Sequence, residues 1–165
     1  MKLLIIGSVG SGKSTLAKKM SRSLNIPHYE IDSIVHDDKK HQKRTIKEQV
    51  DLIQNINKED SWIIEGTLRK NLDILLDISE QIILINIPSK KRKYYIIKRF
   101  IKQKLKIEKS NYKPTLKMLK MMFYWTKEFE EHKDELATKL AIYNNKLIYL
   151  NTPKEVNNYK IVTKG

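Results

Sequence analysis

The chain is organised around a glycine-rich turn, Gly7-Ser8-Val9-Gly10-Ser11-Gly12-Lys13-Ser14-Thr15. A short apolar run at residues 3–6 precedes this turn, and apolar residues at helical spacing follow it from Lys13 onward. Strand, loop and helix in this order, around the pattern G-x-x-x-x-G-K-[ST], are typical of a loop that binds nucleotide phosphates. The sequence therefore predicts a phosphate-binding loop at residues 7–15.

The residue types of this loop suit the binding of a triphosphate. Glycines let the backbone N–H groups turn inward, and the N-terminus of the following helix adds positive partial charge. Lys13 can reach the β- and γ-phosphates, and the Ser14 hydroxyl can ligate Mg²⁺. The predicted nucleotide-binding residues of the loop are Gly7, Gly10, Ser11, Gly12, Lys13, Ser14 and Thr15. ATP and Mg²⁺ are the expected cofactors.

Composition favours one soluble globular domain over residues 1–165, because 40% of the residues are hydrophobic and 32% are charged. There is no apolar run of about 18 residues, and residues 3–6 are too few for a signal peptide. The absence of cysteine excludes disulfides and thiolate metal sites and favours a cytoplasmic location. No two of the four histidines are three or four residues apart, which gives little support to a histidine metal site.

The positive charge is concentrated in one segment. The net charge is +14, and residues 88–120 hold 13 lysines or arginines with Glu108 as their single acid. A basic patch of this size attracts phosphates, nucleic acid or acidic membrane surfaces. The alternative is a solvated helix face in a lysine-rich protein.

Strand and helix patterns alternate along the chain. Apolar runs predict strands at residues 2–6, 28–32, 62–66, 81–86 and 146–150. Helical patterns occupy residues 13–24, 45–57, 69–78, 89–107 and 115–141, and a short helix follows Pro153. Residues 36–44 read as a loop or frayed helix start, and residues 108–114 as a break. The alternation predicts an α/β fold, a three-layer αβα P-loop NTPase with five parallel strands.

Apolar side chains on the last long helices predict how these helices pack. In the basic helix they are Tyr94, Tyr95, Ile97, Ile101 and Leu105. In the helix at residues 115–141 the expected core contacts are Leu116, Leu119, Phe123, Phe129, Leu136 and Leu140. Tyr124 and Trp125 are interpreted as packing residues rather than as a platform for stacking bases.

Two carboxylates follow predicted strands beside the loop. The first three strands end in the loop, in Asp32 and in Glu65, and parallel sheets bind ligands beyond the carboxyl ends of their strands. Asp32 is either a base for an acceptor hydroxyl or a magnesium-side ligand. Glu65 is expected on the magnesium side, acting through water.

Arginines are the candidates for binding further phosphate groups. The chain has five arginines against 28 lysines, and the planar guanidinium binds phosphate through two parallel hydrogen bonds. The candidates are therefore Arg44, Arg69, Arg92 and Arg99, with Arg92 less certain because it sits early in its helix. Arg22 lies on the outer face of the first helix and is set aside.

These motifs, in this order, resemble the adenylate kinase-related, nucleoside monophosphate kinase-like P-loop group. Within that group the chain looks most like the DNA topology modulation proteins. The resemblance extends over nearly the whole chain and rests on GSVGSGKSTLAKKMSRSLNIP, the strand that ends in Asp32, WIIEGTLRKNL, INIP, MMFYWTKEF and LIYLNTPKEV.

The resemblance implies roles on the acceptor side. Where adenylate kinases read Asp-Gly-Phe-Pro-Arg after a strand, this chain reads Glu65-Gly66-Thr67-Leu68-Arg69. Glu65 then takes the magnesium side, and Gly66 and Arg69 the acceptor. Thr67 and Leu68 depart from the pattern, which leaves the acceptor's identity open.

The resemblance also implies a lid and an adenine site. Arg99 would be a catalytic cation of a short basic lid at about residues 90–114. The acceptor side would be the helical segment at about residues 33–60, including Arg44. Asn151-Thr152-Pro153 falls where the group packs against adenine.

Three functions fit the sequence. The favoured one is a kinase that moves the γ-phosphoryl group of Mg-ATP to a nucleoside monophosphate or a hydroxyl metabolite, with Lys13, Asp32 and Arg99 as catalytic residues. The second is a nucleotide-dependent regulator that binds nucleic acid through residues 88–120. The third is a slow NTPase without an acceptor. No membrane partner is expected, and the protein is expected to be a monomer or homodimer.

Overall fold

The computed structural model describes residues 1–37, 41–108 and 114–160. Within this part of the chain, five parallel strands form the predicted sheet, in the order β2-β5-β1-β6-β7. These strands are β1 (Lys2–Gly7), β2 (His28–Glu30), β5 (Trp62–Gly66), β6 (Gln81–Ile85) and β7 (Leu147–Leu150). An antiparallel ribbon lies apart from the sheet and consists of β3 (His36–Asp37) and β4 (Gln42–Lys43).

Helices cover both faces of the sheet, which confirms the predicted three layers. They are α1 (Lys13–Leu24), α2 (Ile31–Val35), α3 (Ile46–Asn57), α4 (Ile74–Ile78), α5 (Ser89–Lys104), α6 (Leu116–Glu131), α7 (Lys133–Ala141) and α8 (Pro153–Asn158). A 3₁₀ turn at Asn144–Lys146 precedes β7. None of the helices in the described ranges is long and apolar enough to cross a membrane.

The central strand β1 is buried on both sides. Leu4 and Ile6 join a core cluster with residues of α2, α3 and α4, and Leu3 and Ile5 join a second cluster with residues of α1 and α8. A strand covered on both faces reads as a continuous apolar run, which is why residues 3–6 carry no polar side chain. The strand order reverses at β1, so the loop after it opens into the crevice where such sheets bind ligands.

Local signals placed α1 and α3 correctly. The apolar spacing of α1 ends at Asn25, whose left-handed conformation (φ 53°) stops the helix. Helix α3 begins at a capping box formed by Thr45 and Glu48. Glu48 N donates to Thr45 Oγ1 at 3.3 Å, and Thr45 N donates to Glu48 Oε2 at 2.7 Å.

Several predicted boundaries are wrong. Strand β2 ends at Glu30, so Asp32 lies in the first turn of α2 instead of closing a strand. The helix predicted at residues 69–78 is confined to α4, and α5 ends at Lys104. The long helix predicted at residues 115–141 is two helices that separate at His132 (φ −103°, ψ 11°).

Two predicted loops differ from expectation or lie partly outside the described residues. The segment at residues 36–44 contains the β3–β4 ribbon, because its strands pair through backbone hydrogen bonds that polar composition does not reveal. Residues 38–40 of it are outside the described part. So are residues 109–113 of the predicted break and lid, and residues 161–165 of the predicted domain.

The solvent face of α5 and α6 carries apolar side chains. The apolar positions named on α5 are all exposed, whereas Arg92 and Ile96 are buried. On α6 the expectation that Leu116, Tyr124 and Trp125 are packing residues is wrong, because 66%, 59% and 38% of their surface is exposed. The helices pack against each other through Arg92 and its partners, which periodicity alone does not predict.

Candidate active site

The glycine-rich loop leaves β1 at the carboxyl edge of the sheet. Gly10 (φ 74°) and Gly12 (φ 97°) have left-handed backbone conformations that favour glycine. A Cβ on Gly10 would lie 2.8 Å from Ile96 Cγ1, so α5 packs directly on the loop. A Cβ on Gly7 would lie 2.6 Å from the carbonyl oxygen of Ile85, which brings β6 equally close. The loop is thus held tightly between neighbouring elements.

Two buried hydroxyls in the loop have no hydrogen-bond partner among the described residues. They belong to Ser8 and Ser11, which are 1% and 2% exposed. A buried hydroxyl without a partner costs free energy, and a phosphate oxygen would accept a hydrogen bond from it. Ser14 and Thr15 follow in the first turn of α1, where Ser14 is half-buried and Thr15 is exposed. The loop therefore fits the phosphate group that its sequence predicts it to bind.

Lys13 links the loop to the carboxylates of the site. Its Nζ donates to the carbonyl oxygen of Ser8 at 2.9 Å, so the side chain folds back over the loop. Burial lowers the pKa of Lys13, whereas the nearby charges of Glu65 and Asp32 raise it. The charges of both predicted carboxylates therefore act on the Lys13 ammonium group.

Glu65 lies in a cluster of three possible metal ligands. His28 and Glu30 on β2 and Glu65 on β5 each offer a ligand atom within 4.8 Å of the others. Glu30 and Glu65 are register partners in the parallel pair, so both project from the same face of the sheet. Sequence reasoning missed Glu30. The available signal was its position two residues before Asp32, in a strand beside that of Glu65.

The carboxylates of this cluster suit Mg²⁺, and its imidazole does not. Mg²⁺ prefers oxygen ligands and keeps several waters, as Glu30, Glu65 and the Ser14 hydroxyl would allow. His28 Nε2 lies 4.0 Å from Glu65 Oε1, and burial lowers the pKa of the imidazole. Although the sequence gave a histidine site little support, the fold places His28 among metal-ligating groups. Lys18 Nζ lies 3.7 Å from Glu30 Oε1 on the outer side.

Two predicted acceptor residues meet in the structure. Arg69 Nη2 donates to Asp32 Oδ1 at 2.7 Å. Asp32 is exposed in α2, and Arg69 is exposed in the segment after β5. The segment that carries Arg69 is tied to the loop through Thr67 and Gly7, and the charge of Asp32 partly opposes the lowering of the Lys13 pKa. A solvent-accessible carboxylate and guanidinium therefore lie next to the loop.

Arg44 is engaged by the backbone. Its Nη1 donates to the carbonyl oxygens of Ser33 and His36, each at 2.6 Å, and of Ile34 at 3.2 Å. Its Nη2 lies 3.5 Å from Asp37 Oδ2. The guanidinium joins the end of α2 to the β3–β4 ribbon, so a role for Arg44 in acceptor binding stays a prediction.

The segment after β5 contacts the loop and α2. Thr67 Oγ1 donates to the carbonyl oxygen of Gly7 at 3.1 Å, which ties this segment to the loop. A Cβ on Gly66 would lie 2.6 Å from Ile31 Cβ, so glycine lets β5 and α2 approach closely. Sequence reasoning treated Thr67 only as a departure from the adenylate kinase pattern. Its hydroxyl instead positions the chain that carries Arg69.

Two arginines of α5 face the loop with different partners. Arg99 is exposed, and its Nε lies 3.3 Å from Glu108 Oε1. Arg92 is buried and pairs with Glu130 of α6. Both cations lie close enough to Lys13 to lower the pKa of its ammonium. The structure therefore buries Arg92 between α5 and α6, which its early position in the helix did not suggest.

The predicted adenine segment caps α8 beside the loop. Asn151 N donates to Glu155 Oε2 at 2.7 Å, and Glu155 N donates to Thr152 Oγ1 at 3.2 Å. Pro153 occupies the first turn. Val156 of α8 lies 3.5 Å from where a Cβ on Gly12 would stand. The segment adjoins the loop, and its contact with adenine stays a prediction.

The fold of this chain is similar to the folds of solved kinase structures. The crystal structure of shikimate kinase from Bacteroides thetaiotaomicron superposes with a TM-score of 0.54 and 14% identity, over 94% of this chain and 90% of that chain. The two chains therefore share a fold. The structure of shikimate kinase from Aquifex aeolicus VF5 superposes with a TM-score of 0.46 and 21% identity, over 94% and 90% of the two chains.

The similarity of fold is accompanied by a partial match in sequence. Over 82 residues the chain is 38% identical to a shikimate kinase of Aquifex aeolicus (strain VF5). The match covers 49% of this chain and 41% of that relative's length. No protein-family model matches the chain. The closer resemblance to DNA topology modulation proteins stays a prediction.

Proposed function

We propose that the protein is an ATP-dependent phosphotransferase that moves a phosphoryl group from Mg-ATP to a small acceptor. One observation carries this proposal: Thr67 Oγ1 donates to the carbonyl oxygen of Gly7 at 3.1 Å, so the segment that carries Arg69, the partner of Asp32, is tied to the phosphate loop. This contact supports donor and acceptor groups at one edge of the sheet. Phosphoryl transfer requires positioning and charge neutralisation of this kind more than covalent chemistry.

The donor half consists of the loop and the buried carboxylates. The loop N–H groups and the Ser8 and Ser11 hydroxyls would bind phosphate oxygens, with Lys13 neutralising their charge. Ser14 and Glu65, with Glu30 beside it, would hold Mg²⁺. The ion supplies charge stabilisation to the transferring group when it is bound.

The acceptor half is defined by Asp32 and Arg69. Asp32 would accept the proton of an acceptor hydroxyl, and Arg69 would bind an anionic group on the same molecule. Backbone carbonyls engage the guanidinium of Arg44, whereas the guanidinium of Arg69 pairs with Asp32 and is exposed to a ligand. This supports a hydroxyl metabolite with a negatively charged group over a nucleoside monophosphate. Shikimate, which the names of the similar kinases contain, is one compound of that class.

A phosphotransfer screen tests the proposal. Labelled ATP and Mg²⁺ are incubated with the protein and with mononucleotides, shikimate and other hydroxy acids, and the phosphorylated products are separated. We expect transfer to a hydroxyl compound and none by Lys13→Ala, which removes the cation at the β- and γ-phosphates. Hydrolysis of ATP with no acceptor phosphorylated above background would refute the proposed kinase activity and would support the slow NTPase instead.

Binding of nucleic acid is a second candidate, favoured by a specific surface. Helix α5 exposes the rings of Tyr94 and Tyr95 among lysines, and Lys98 Nζ lies 6.0 Å from the Tyr94 ring centre. Aromatic rings beside cations are typical of sites for single-stranded nucleic acid. The test is binding of a labelled oligonucleotide at rising salt concentration. Unchanged affinity after substituting Lys90, Lys93 and Lys98 by glutamine would remove this candidate.

A further inference from the structure

Arg92 is a fully buried cation in the first turns of α5. It is 1% exposed, and few arginines in proteins are buried to this extent. Its Nη2 donates to Glu130 Oε1 of α6, and its Cζ lies 5.4 Å from the centre of the Phe129 ring. The ion pair and the ring neutralise and cover one side of the guanidinium.

Two other nitrogens of the same guanidinium remain without partners. Nε and Nη1 of Arg92 are buried and have no hydrogen bond to any described residue. Unpaired donors on a buried charged group are costly, because they have lost water and gained nothing in exchange. A purely structural ion pair gives no account of this cost. A ligand with several acceptor oxygens would satisfy both donors.

The unpaired donors lie on a helix that packs on the phosphate loop. The carbonyl oxygen of Arg92 lies 3.0 Å from where a Cβ on Gly10 would stand, and Ile96 of the next turn fills the remaining space. The charge of Arg92 also reaches Lys13, where it lowers the pKa of the ammonium. The residue that carries the buried guanidinium thus packs on the loop that is expected to bind phosphate.

We propose that Arg92 binds the phosphate chain of the bound nucleotide through Nε and Nη1, while its Nη2 stays paired with Glu130. This inference rests on the proposed nucleotide site and adds a residue to it. The Glu130 carboxylate offsets the positive charge of the guanidinium and repels the phosphates beside it. The charge of Glu130 therefore lowers the affinity for ATP.

A substitution that removes the charge of Glu130 gives a direct test. Glu130→Gln keeps the shape of the side chain and removes its charge. ATP affinity is measured by calorimetry with Mg²⁺ present. We expect Glu130→Gln to bind ATP about fivefold more tightly than the wild type, because the neutral amide no longer offsets the charge of the guanidinium or repels the phosphates.

Glu131→Gln is the matched control. Glu131 is the next residue of α6, is exposed, and lies 3.4 Å from Lys127 Nζ. The substitution Glu131→Gln changes the net charge by the same amount as Glu130→Gln, at a residue that does not contact Arg92. We expect its ATP affinity to stay within about twofold of the wild type. Equal effects of the two substitutions would mean that overall charge is responsible, and would overturn the proposal.

A second pair of variants tests whether the gain passes through Arg92. Arg92→Lys keeps the charge and loses the two-pronged geometry, so it should weaken ATP binding. In Arg92→Lys with Glu130→Gln the gain should vanish. A gain that persists in the double variant would overturn the proposal. Thermal melting without ATP reports folding of each variant separately.

The controls separate this inference from the proposed function. If the wild type shows no ATP binding, or if Lys13→Ala binds ATP as the wild type does, the nucleotide site itself is refuted. If the wild type binds ATP through Lys13 and Glu130→Gln shows no gain, the nucleotide site stands and the role of Arg92 is refuted.

Discussion

Arg69 Nη2 and Asp32 Oδ1 lie 2.7 Å apart in an ion pair that joins α2 to the segment after β5. The side chains of Asp32 and Arg69 are 74% and 42% exposed. An ion pair this open to water contributes between about 0 and 1 kcal/mol to stability. Its value to the protein is therefore positional, because it keeps a carboxylate and a guanidinium together beside Lys13.

Asp32→Asn should separate catalysis from folding. The amide cannot accept a proton from an acceptor hydroxyl, so we expect turnover to fall by about 10²- to 10⁴-fold. The thermal midpoint and the affinity for ATP should stay close to those of the wild type. Phosphotransfer assays, calorimetry and melting curves measure these three quantities. Turnover at the wild-type rate would show that Asp32 is not the base.

Glu65→Gln should raise the Mg²⁺ concentration needed for half-maximal activity. Glu65 is 3% exposed and stands in the ligand cluster, so loss of its charge should weaken Mg²⁺ binding by about tenfold. Glu30→Gln should act in the same direction. Magnesium titrations of the phosphotransfer rate give the comparison.

Glu80→Gln is the control for the magnesium titration. Glu80 is exposed and lies 3.7 Å from the N-terminal amine of Met1, away from the cluster. Its titration should match that of the wild type. The same curve for Glu65→Gln and Glu80→Gln would exclude Glu65 from the magnesium site.

Gly10→Ala should destabilise the protein more than Gly12→Ala. Both glycines have positive φ, so either alanine introduces backbone strain of about 1–3 kcal/mol. A methyl group on Gly10 would also meet Ile96 Cγ1 at 2.8 Å, whereas one on Gly12 would meet Val156 Cγ1 at an ordinary 3.5 Å. Urea denaturation measures the difference. Equal losses of stability would mean that α5 yields to the methyl group at no cost.

Tyr29→Phe should reduce stability most below pH 10. The Tyr29 hydroxyl donates to Glu59 Oε1 at 2.6 Å, and this bond raises the pKa of Tyr29 to about 12. The unfolded chain loses the tyrosine proton near pH 10, before the folded protein does. The stabilisation is therefore complete below pH 10 and is lost as the pH rises toward 12.

Denaturation curves between pH 8 and about 11 test this expectation. Tyr149→Phe is the control, because Tyr149 is an exposed tyrosine on β7. The difference in free energy of unfolding between wild type and Tyr29→Phe should shrink as the pH rises. A difference that stays constant over this range would show that the Glu59 hydrogen bond does not control the titration.

Local and continuous patterns in the sequence were sufficient to predict the strands of the sheet and the position of the glycine-rich loop. Strands β1, β5 and β6 are buried on both faces, so each reads as an unbroken apolar run that is visible without any structure. The caps of α1 and α3 act within one turn of chain. The carboxyl ends of adjacent parallel strands meet at one edge, which is why Asp32 and Glu65 could be expected near Lys13.

Contacts between distant segments could not be read in this way. Glu30 faces Glu65 only through the register of β2 against β5, and a shift of one residue would turn it to the other face. By residue type, Arg44 and Arg69 were equally good candidates for binding phosphate. The backbone carbonyls that engage Arg44 follow from how α2 meets the β3–β4 ribbon.

By itself, the sequence was enough to predict a phosphate-binding loop at residues 7–15 and a core built on a parallel sheet. Both depend on residue type and spacing over a few turns of chain. Tertiary structure alone decided which cations remain available to a ligand. Burial of Arg92 against Glu130, 38 residues apart, depends on the packing of α5 on α6, and the exposed apolar side chains of these helices hide that packing from periodicity.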